Sequence, residues 1–145
     1  MENYTKYALK AENELVAALN GAEKLFVVAC NKCFKEFETM TEPESETFVQ
    51  LAEAQGKKIT GTVNVDFLCN KIQSAKVLLD NIPEETDHVV VISCGLGVQT
   101  LAEMQDLPVV AACDSLNYTG HHGMALTKKA CDACAQCYLI MTGGI

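Results

Sequence analysis

An apolar run stops abruptly at a pair of thiols in LFVVACNKC, Leu25 to Cys33, where Cys30 and Cys33 form one CxxC step. A second concentration lies in CDACAQC, where Cys131, Cys134 and Cys137 form two overlapping CxxC steps. Cys69, Cys94 and Cys113 stand alone, for a total of 8 cysteines. Thiols in such number have four uses: soft ligands for zinc or iron–sulfur clusters, disulfides, redox nucleophiles, or small buried fillers. The CDACAQC spacing supplies the first three ligands of a ferredoxin-type 4Fe–4S cluster, because short spacers let neighbouring thiolates wrap adjacent corners of one cube. The bacterial pattern places its fourth cysteine where this sequence has Met141. The fourth ligand is therefore remote, supplied by a partner, or beyond Ile145. The ending TGGI, with no polar tail, reads as a cut.

Composition separates these uses. The amino terminus MENYTKYALKAENEL has no apolar signal-peptide core, and no apolar run reaches the roughly 18 residues of a membrane helix. The expected location is the cytoplasm, a reducing compartment where dense cysteine signifies metal or redox chemistry more often than disulfides. The chain is 49% hydrophobic, enough to build one core without staples. Its net charge of -8 and lack of a basic cluster argue against nucleic acid and anionic membranes as partners.

The elements that must position the thiols alternate. Residues 3–20 carry Tyr4, Tyr7, Ala8, Ala11, Leu15 and Ala18 at helical spacing, with Asn20-Gly21 as a stop. Lys24 to Ala29 is a short branched apolar run, suited to a strand covered on both faces. Thr41 to Ser45 is a turn opening a helix over 45–55, with Phe48, Val49, Leu51 and Ala52 inward and Gly56 as its close. Lys58 to Val65 predicts a second strand. Asn70 to Asn81 predicts a helix with Ile72, Ala75, Val77, Leu78 and Leu79 inward. His88 to Ser93 is the clearest strand, followed by a short helix over Val98 to Met104 and a fourth strand over Leu107 to Ala112. Strands alternating with helices imply a parallel sheet with helices on both faces. The expectation is a three-layer Rossmann-like or flavodoxin-like α/β domain of about four parallel strands over residues 1–116. A Cys-rich metal-binding tail follows over 117–145.

This organisation gathers the thiols. Cys30, Cys94 and Cys113 end predicted strands, and Cys69 lies just past another. Parallel strands share one carboxyl edge, which is where open α/β sheets place their binding sites. Cys33 lies one turn beyond Cys30. Thiolates within tetrahedral reach there would hold zinc or an iron–sulfur cluster. The alternatives are apolar filling and a thioredoxin-like role for Cys30-Cys33. Gly95 and Gly97, in GLG after a strand, would let main chain approach whatever Cys94 binds; the motif is not a full GxGxxG, since Thr100 occupies its last position. His121 and His122 read as loop histidines or a metal ligand, and His88 as structural. Glu42, Glu44 and Glu46 read as a solvated helix start. No paired catalytic carboxylates and no nucleophile elbow are present, so no catalytic residues are assigned.

The order of these features, a strand ending in CxxC, a lone cysteine near the second helix, VVVISCGLGVQT and finally CxxCxxC with TGGI, resembles the small cysteine-rich subunit of acetogen-type methylenetetrahydrofolate reductase. The same domain occurs as a C-terminal region of methylenetetrahydrofolate reductase. The resemblance covers Lys24 to Ile145, and SCGLGVQTLAE and CDACAQCYLIMTGGI carry most of it. It implies an accessory subunit that carries iron–sulfur or zinc and relays electrons from a redox donor protein to a flavin held only by a TIM-barrel partner. It further implies Cys30, Cys33, Cys69 and Cys94 as ligands of a first site, and Cys131, Cys134 and Cys137 as three ligands of a second. Family members continue past TGGI with Cys-Pro and more cysteines, and have an apolar residue in place of Cys113, which is here an adjacent thiol or alternate ligand. Two other readings remain: a zinc-stabilised adaptor without a redox role, and a stand-alone thiol oxidoreductase using Cys30-Cys33.

Overall fold

The computed structural model describes residues 6–31 and 43–117. The order of elements is β1 (Lys6–Leu9), α1 (Glu12–Ala18), β2 (Lys24–Cys30), α2 (Pro43–Ala54), β3 (Lys58–Val65), α3 (Lys71–Leu78), β4 (His88–Ile92), α4 (Gly95–Met104), β5 (Val109–Ala111) and β6 (Cys113–Asn117). Four strands form a parallel sheet in the order β3-β2-β4-β5. The other two, β1 and β6, form an antiparallel ribbon.

The period of two along each strand divides the core. Leu25, Val27 and Ala29 of β2 join Val90 and Ile92 of β4 on one face, packed with Leu15 and Leu19 from the α1 region and Phe48 and Ala52 of α2. Phe26 and Val28 join Val89 and Val91 on the other face, packed with Leu78 of α3 and Leu101 of α4. Helices therefore cover both faces, and residues 25–29 of β2 and 89–92 of β4 are apolar and buried because neither face meets water. The edge strand β3 alternates instead, with Lys58, Thr62 and Asn64 outward. Gly21 and Gly56 adopt φ of +85° and +76° after α1 and α2, a left-handed turn that ends each helix without a Cβ penalty.

Three expectations are corrected. The helix over 3–20 begins only at Glu12, and Lys6–Leu9 is a strand. Tyr7 and Leu9 face the core two apart, and the Lys10 amide donates to the Ala112 carbonyl (3.0 Å), so pairing with β6 overrides the apparent helical spacing. On α3, Leu78 is buried, but Ile72 and Leu79 are 74% and 56% exposed. Asn70 caps that helix, accepting from the amides of Ile72 and Gln73, and this start turns Ile72 to solvent. Cys113 opens β6 rather than ending a strand of the parallel sheet, and β6 runs through Asn117.

Candidate metal centre

All four parallel strands point their carboxyl ends the same way, and β2 and β4 are neighbours there, at the point where the strand order reverses. Cys30 closes β2, opposite Val65 at the end of β3. Cys69 follows β3 by a four-residue turn in which Phe67 takes a positive φ of 51°. Cys94 follows β4 and is the N-cap of α4. Cys30 packs against the α3–α4 core, whereas Cys69 and Cys94 pack with the α1–α2 core, so the thiols straddle the end of the sheet.

Their charges act on one another. Burial raises the Cys69 thiol above its ordinary pKa, and ionised Cys94 and Cys30 would raise it further. Burial also raises Cys94; the amides of Gly97 and Leu96, aimed toward its sulfur from the first turn of α4, oppose that shift. Neither amide closes a capping hydrogen bond. Cys113 lies deeper in the ribbon and is pushed up to about 12, by burial first and then by the carboxylates of Glu44 and Asp114. These three are thiols, not thiolates, at neutral pH. A metal entering here must displace protons.

Electrostatic reach is longer than ligation. Among the described residues, no three His, Cys, Asp or Glu side chains converge closely enough to hold a metal ion. The donor set at the edge is of one soft type, Cys30, Cys69 and Cys94. Cys33, Cys131, Cys134, Cys137, His121, His122 and Met141 lie outside the described residues. The described thiols Cys30, Cys69 and Cys94 are thus of the soft type a thiolate-bound metal takes, but their placement does not by itself form a metal site.

The two glycines have local reasons. A Cβ on Gly97 would stand 2.2 Å from the Ser93 hydroxyl and 3.1 Å from Leu68, so Gly97 lets α4 sit against the end of β4. The Gly95 amide donates to the Ser115 hydroxyl (2.8 Å), which ties α4 to the ribbon.

Sequence reasoning missed several neighbours. Tyr7, expected on a helix face, is buried with Cys94 and Cys113 in one core cluster, and its hydroxyl donates to the Cys30 carbonyl (2.8 Å). Burial, then the charges of Cys30, Glu44, Cys113 and Cys94, hold the Tyr7 phenol well above its usual pKa. Glu44, read as solvated, acts on both Tyr7 and Cys113. The Thr100 hydroxyl donates to the Cys69 carbonyl (3.4 Å), and the buried Ser93 hydroxyl to the Cys94 carbonyl (2.7 Å). Only tertiary contact reveals the Tyr7 and Thr100 pairings, whose partners lie 23 and 31 residues away. His88 has the structural role expected, its Nδ1 lying 2.8 Å from Asp87.

Comparison of the chain with models of protein families, with curated proteins and with solved structures returns no match.

Proposed function

We propose that this chain is a metal-binding, electron-transferring accessory subunit of a methylenetetrahydrofolate reductase, working beside a flavin-bearing catalytic partner. The observation that carries the reading is the gathering of Cys30, Cys69 and Cys94 at the carboxyl edge of a parallel sheet, where their charges act on one another. Three thiols from separate elements at a strand-order reversal exceed what apolar filling requires. The strand order and the helices on both faces support the finer reading of a three-layer, flavodoxin-like domain. Bound there, an iron–sulfur cluster would supply one-electron transfer, and zinc would supply a structural tie. Cys30, Cys33, Cys69 and Cys94 would hold the first metal, and Cys131, Cys134 and Cys137 would serve a second. Gly97 supports the first site by allowing α4 to place the Cys94 main chain. Reduced thiols in such number suit the cytoplasm.

Purification without oxygen, followed by iron, sulfide and zinc analysis, tests the cofactor. Broad visible absorbance with stoichiometric iron and sulfide is expected; a colourless protein with stoichiometric zinc would make it a structural adaptor. Copurification with a flavin-containing reductase subunit tests the partnership. A monomer that reduces methylenetetrahydrofolate by itself would end the reading.

A further inference from the structure

The turn from β3 into α3 holds Phe67 against both its backbone preference and its solubility. Its φ of 51° lies in the left-handed region, which suits glycine or asparagine and is costly for a bulky side chain. The residue is also 46% exposed, so burial within this fold offsets only part of that cost. Ile72 and Leu79 of the following helix region are 74% and 56% exposed. Three of the four exposed large hydrophobic residues among the described residues therefore fall between Phe67 and Leu79. Ile72, Ala75, Lys76 and Leu79 stand at i, i+3, i+4 and i+7, one stripe of a helix, and Leu79 keeps helical dihedrals as the C-cap. That stripe lies away from the buried positions of α3, Ser74 and Leu78. Lys76 sits inside it. The helix, KIQSAKVL, has two lysines and no acid, in a chain of net charge -8. Lys71 is joined to Glu103, whereas Lys76 makes no ion pair among the described residues.

We propose that the β3–α3 turn and the outer stripe of α3 form the docking face for the flavin-bearing catalytic partner, with Phe67 and Ile72 as apolar anchors and Lys76 meeting a carboxylate of that partner. The inference rests on the reading of this chain as an accessory subunit, and on no metal. Charge selects the occupant. A second copy related by a two-fold axis through the stripe would set Lys76 against its own counterpart, because Lys76 lies beside the midpoint between Ile72 and Leu79. Like charges brought together as an apolar contact closes oppose association. A different protein with a carboxylate at an apolar groove meets both features at once. Aromatic anchors closed over by a partner carry a large share of interface energy, and such closure would give Phe67 the burial that this fold withholds. The place is also suitable. Asn70, the cap of α3, follows Cys69 directly, so a partner on this stripe sits next to the carboxyl edge of the sheet.

The test is binding of the full-length chain to the purified flavin-containing methylenetetrahydrofolate reductase subunit from the native source, by biolayer interferometry, beside a denaturant melt of each variant. Phe67→Asn suits the left-handed backbone and removes the ring. It is expected to weaken binding at least about tenfold, with an unfolding midpoint equal to the parent's or higher. Ile72→Ser should weaken binding in the same direction. Lys76→Glu should weaken it too, and should remove the loss of affinity that added salt causes in the parent. Val16→Ser, on α1 across the sheet, should leave binding unchanged. If Phe67→Asn lowers the midpoint, its ring serves the fold, and Ile72→Ser with Lys76→Glu decides. Self-association of the chain that Ile72→Ser abolishes would give the face to a second copy and overturn the proposal. A parent that does not bind the reductase subunit overturns the accessory-subunit reading itself, whereas a parent that binds with indifferent variants overturns only the docking face.

Discussion

The two ends of the parallel sheet solve the same problem with different chemistry. At the amino end, the Asp87 carboxylate accepts from the Glu23 amide (3.1 Å) and the Lys24 amide (2.9 Å), with His88 beside it. Thr60 and Thr86 complete that end by sharing a hydroxyl contact of 2.8 Å. Polar groups there bond one another and the main chain. At the carboxyl end, hydroxyls bond the Cys30, Cys69 and Cys94 carbonyls, and the Gly97 and Leu96 amides face the Cys94 sulfur. Burial has raised Cys69 and Cys94 without giving either a charged partner among the described residues. One end is built from charged and hydroxyl groups bonded to one another; the other gathers buried and half-buried thiols.

The largest test of that contrast is metal content. Cys94→Ser should abolish metal binding at the edge while the sheet stays folded by circular dichroism, whereas Asp87→Asn should leave metal content unchanged. Full occupancy in Cys94→Ser would remove Cys94 from the donor set. Next is packing under the site. Gly97→Ala drives a methyl into Ser93 and Leu68 and should cost about 1–3 kcal/mol in denaturant unfolding. Ser93→Ala removes the nearest clash, so the double variant should recover part of that loss.

The alkaline limb comes third. The Cys113 thiol rises from 9.0 in the unfolded chain to about 12 when folded. A raised acid contributes stability below its unfolded pKa and loses it as pH climbs toward the folded one. The metal-free protein should lose about 1.4 kcal/mol between pH 8 and pH 10 from this group. A Cys113→Ala variant, followed over the same range, should show a flatter decline; parallel curves would clear Cys113 of the effect.

At the other end the sign reverses. Burial works against ionised Asp87, but hydrogen bonds from His88 and from the Lys24 and Glu23 amides outweigh it and lower the carboxyl below 3.8. Its contribution is present above that pH and is lost as the solution becomes more acid. Asp87→Asn should cost about 1 kcal/mol at neutral pH and soften the acid limb. Smallest is the exposed pair of Lys71 and Glu103, which links α3 to α4. Lys71→Ala should change stability by under about 0.5 kcal/mol, and a larger loss would mean that α3 docks through charge rather than through Leu78.

Much of the sheet was legible because its central strands are fully covered. LFVVA and HVVVI have no polar face to confuse, so β2, β3 and β4 lie within about one residue of their expected bounds, and Phe48 and Ala52 of α2 face inward as their spacing implies. The ribbon was illegible. Tyr7 and Ala8, followed by Ala11, imitate a helix, and nothing local announces a partner strand that begins at Cys113. The α3 faces were misread for a related reason: Ile72 and Leu79 are apolar and seven apart, yet the cap at Asn70 sets the phase of the helix. Among the thiols, Cys30 and Cys94 lie at strand ends as composition implied, whereas Cys113 opens a strand that composition did not announce. Their hydroxyl partners could not be placed, because a tyrosine or threonine looks the same whether it meets solvent or a carbonyl across the fold.

The ribbon also imposes an order in time. Lys10 and Asp114, joined across it, are 104 residues apart. A ribosome adding about 5–20 residues per second needs on the order of 5–20 s to span that distance. Tyr7 waits through that interval for the strand that will hold it, and Cys94 joins Cys30 and Cys69 only near its end. The nascent chain therefore completes the strands of its parallel sheet before the strand that pairs with Tyr7 has been made.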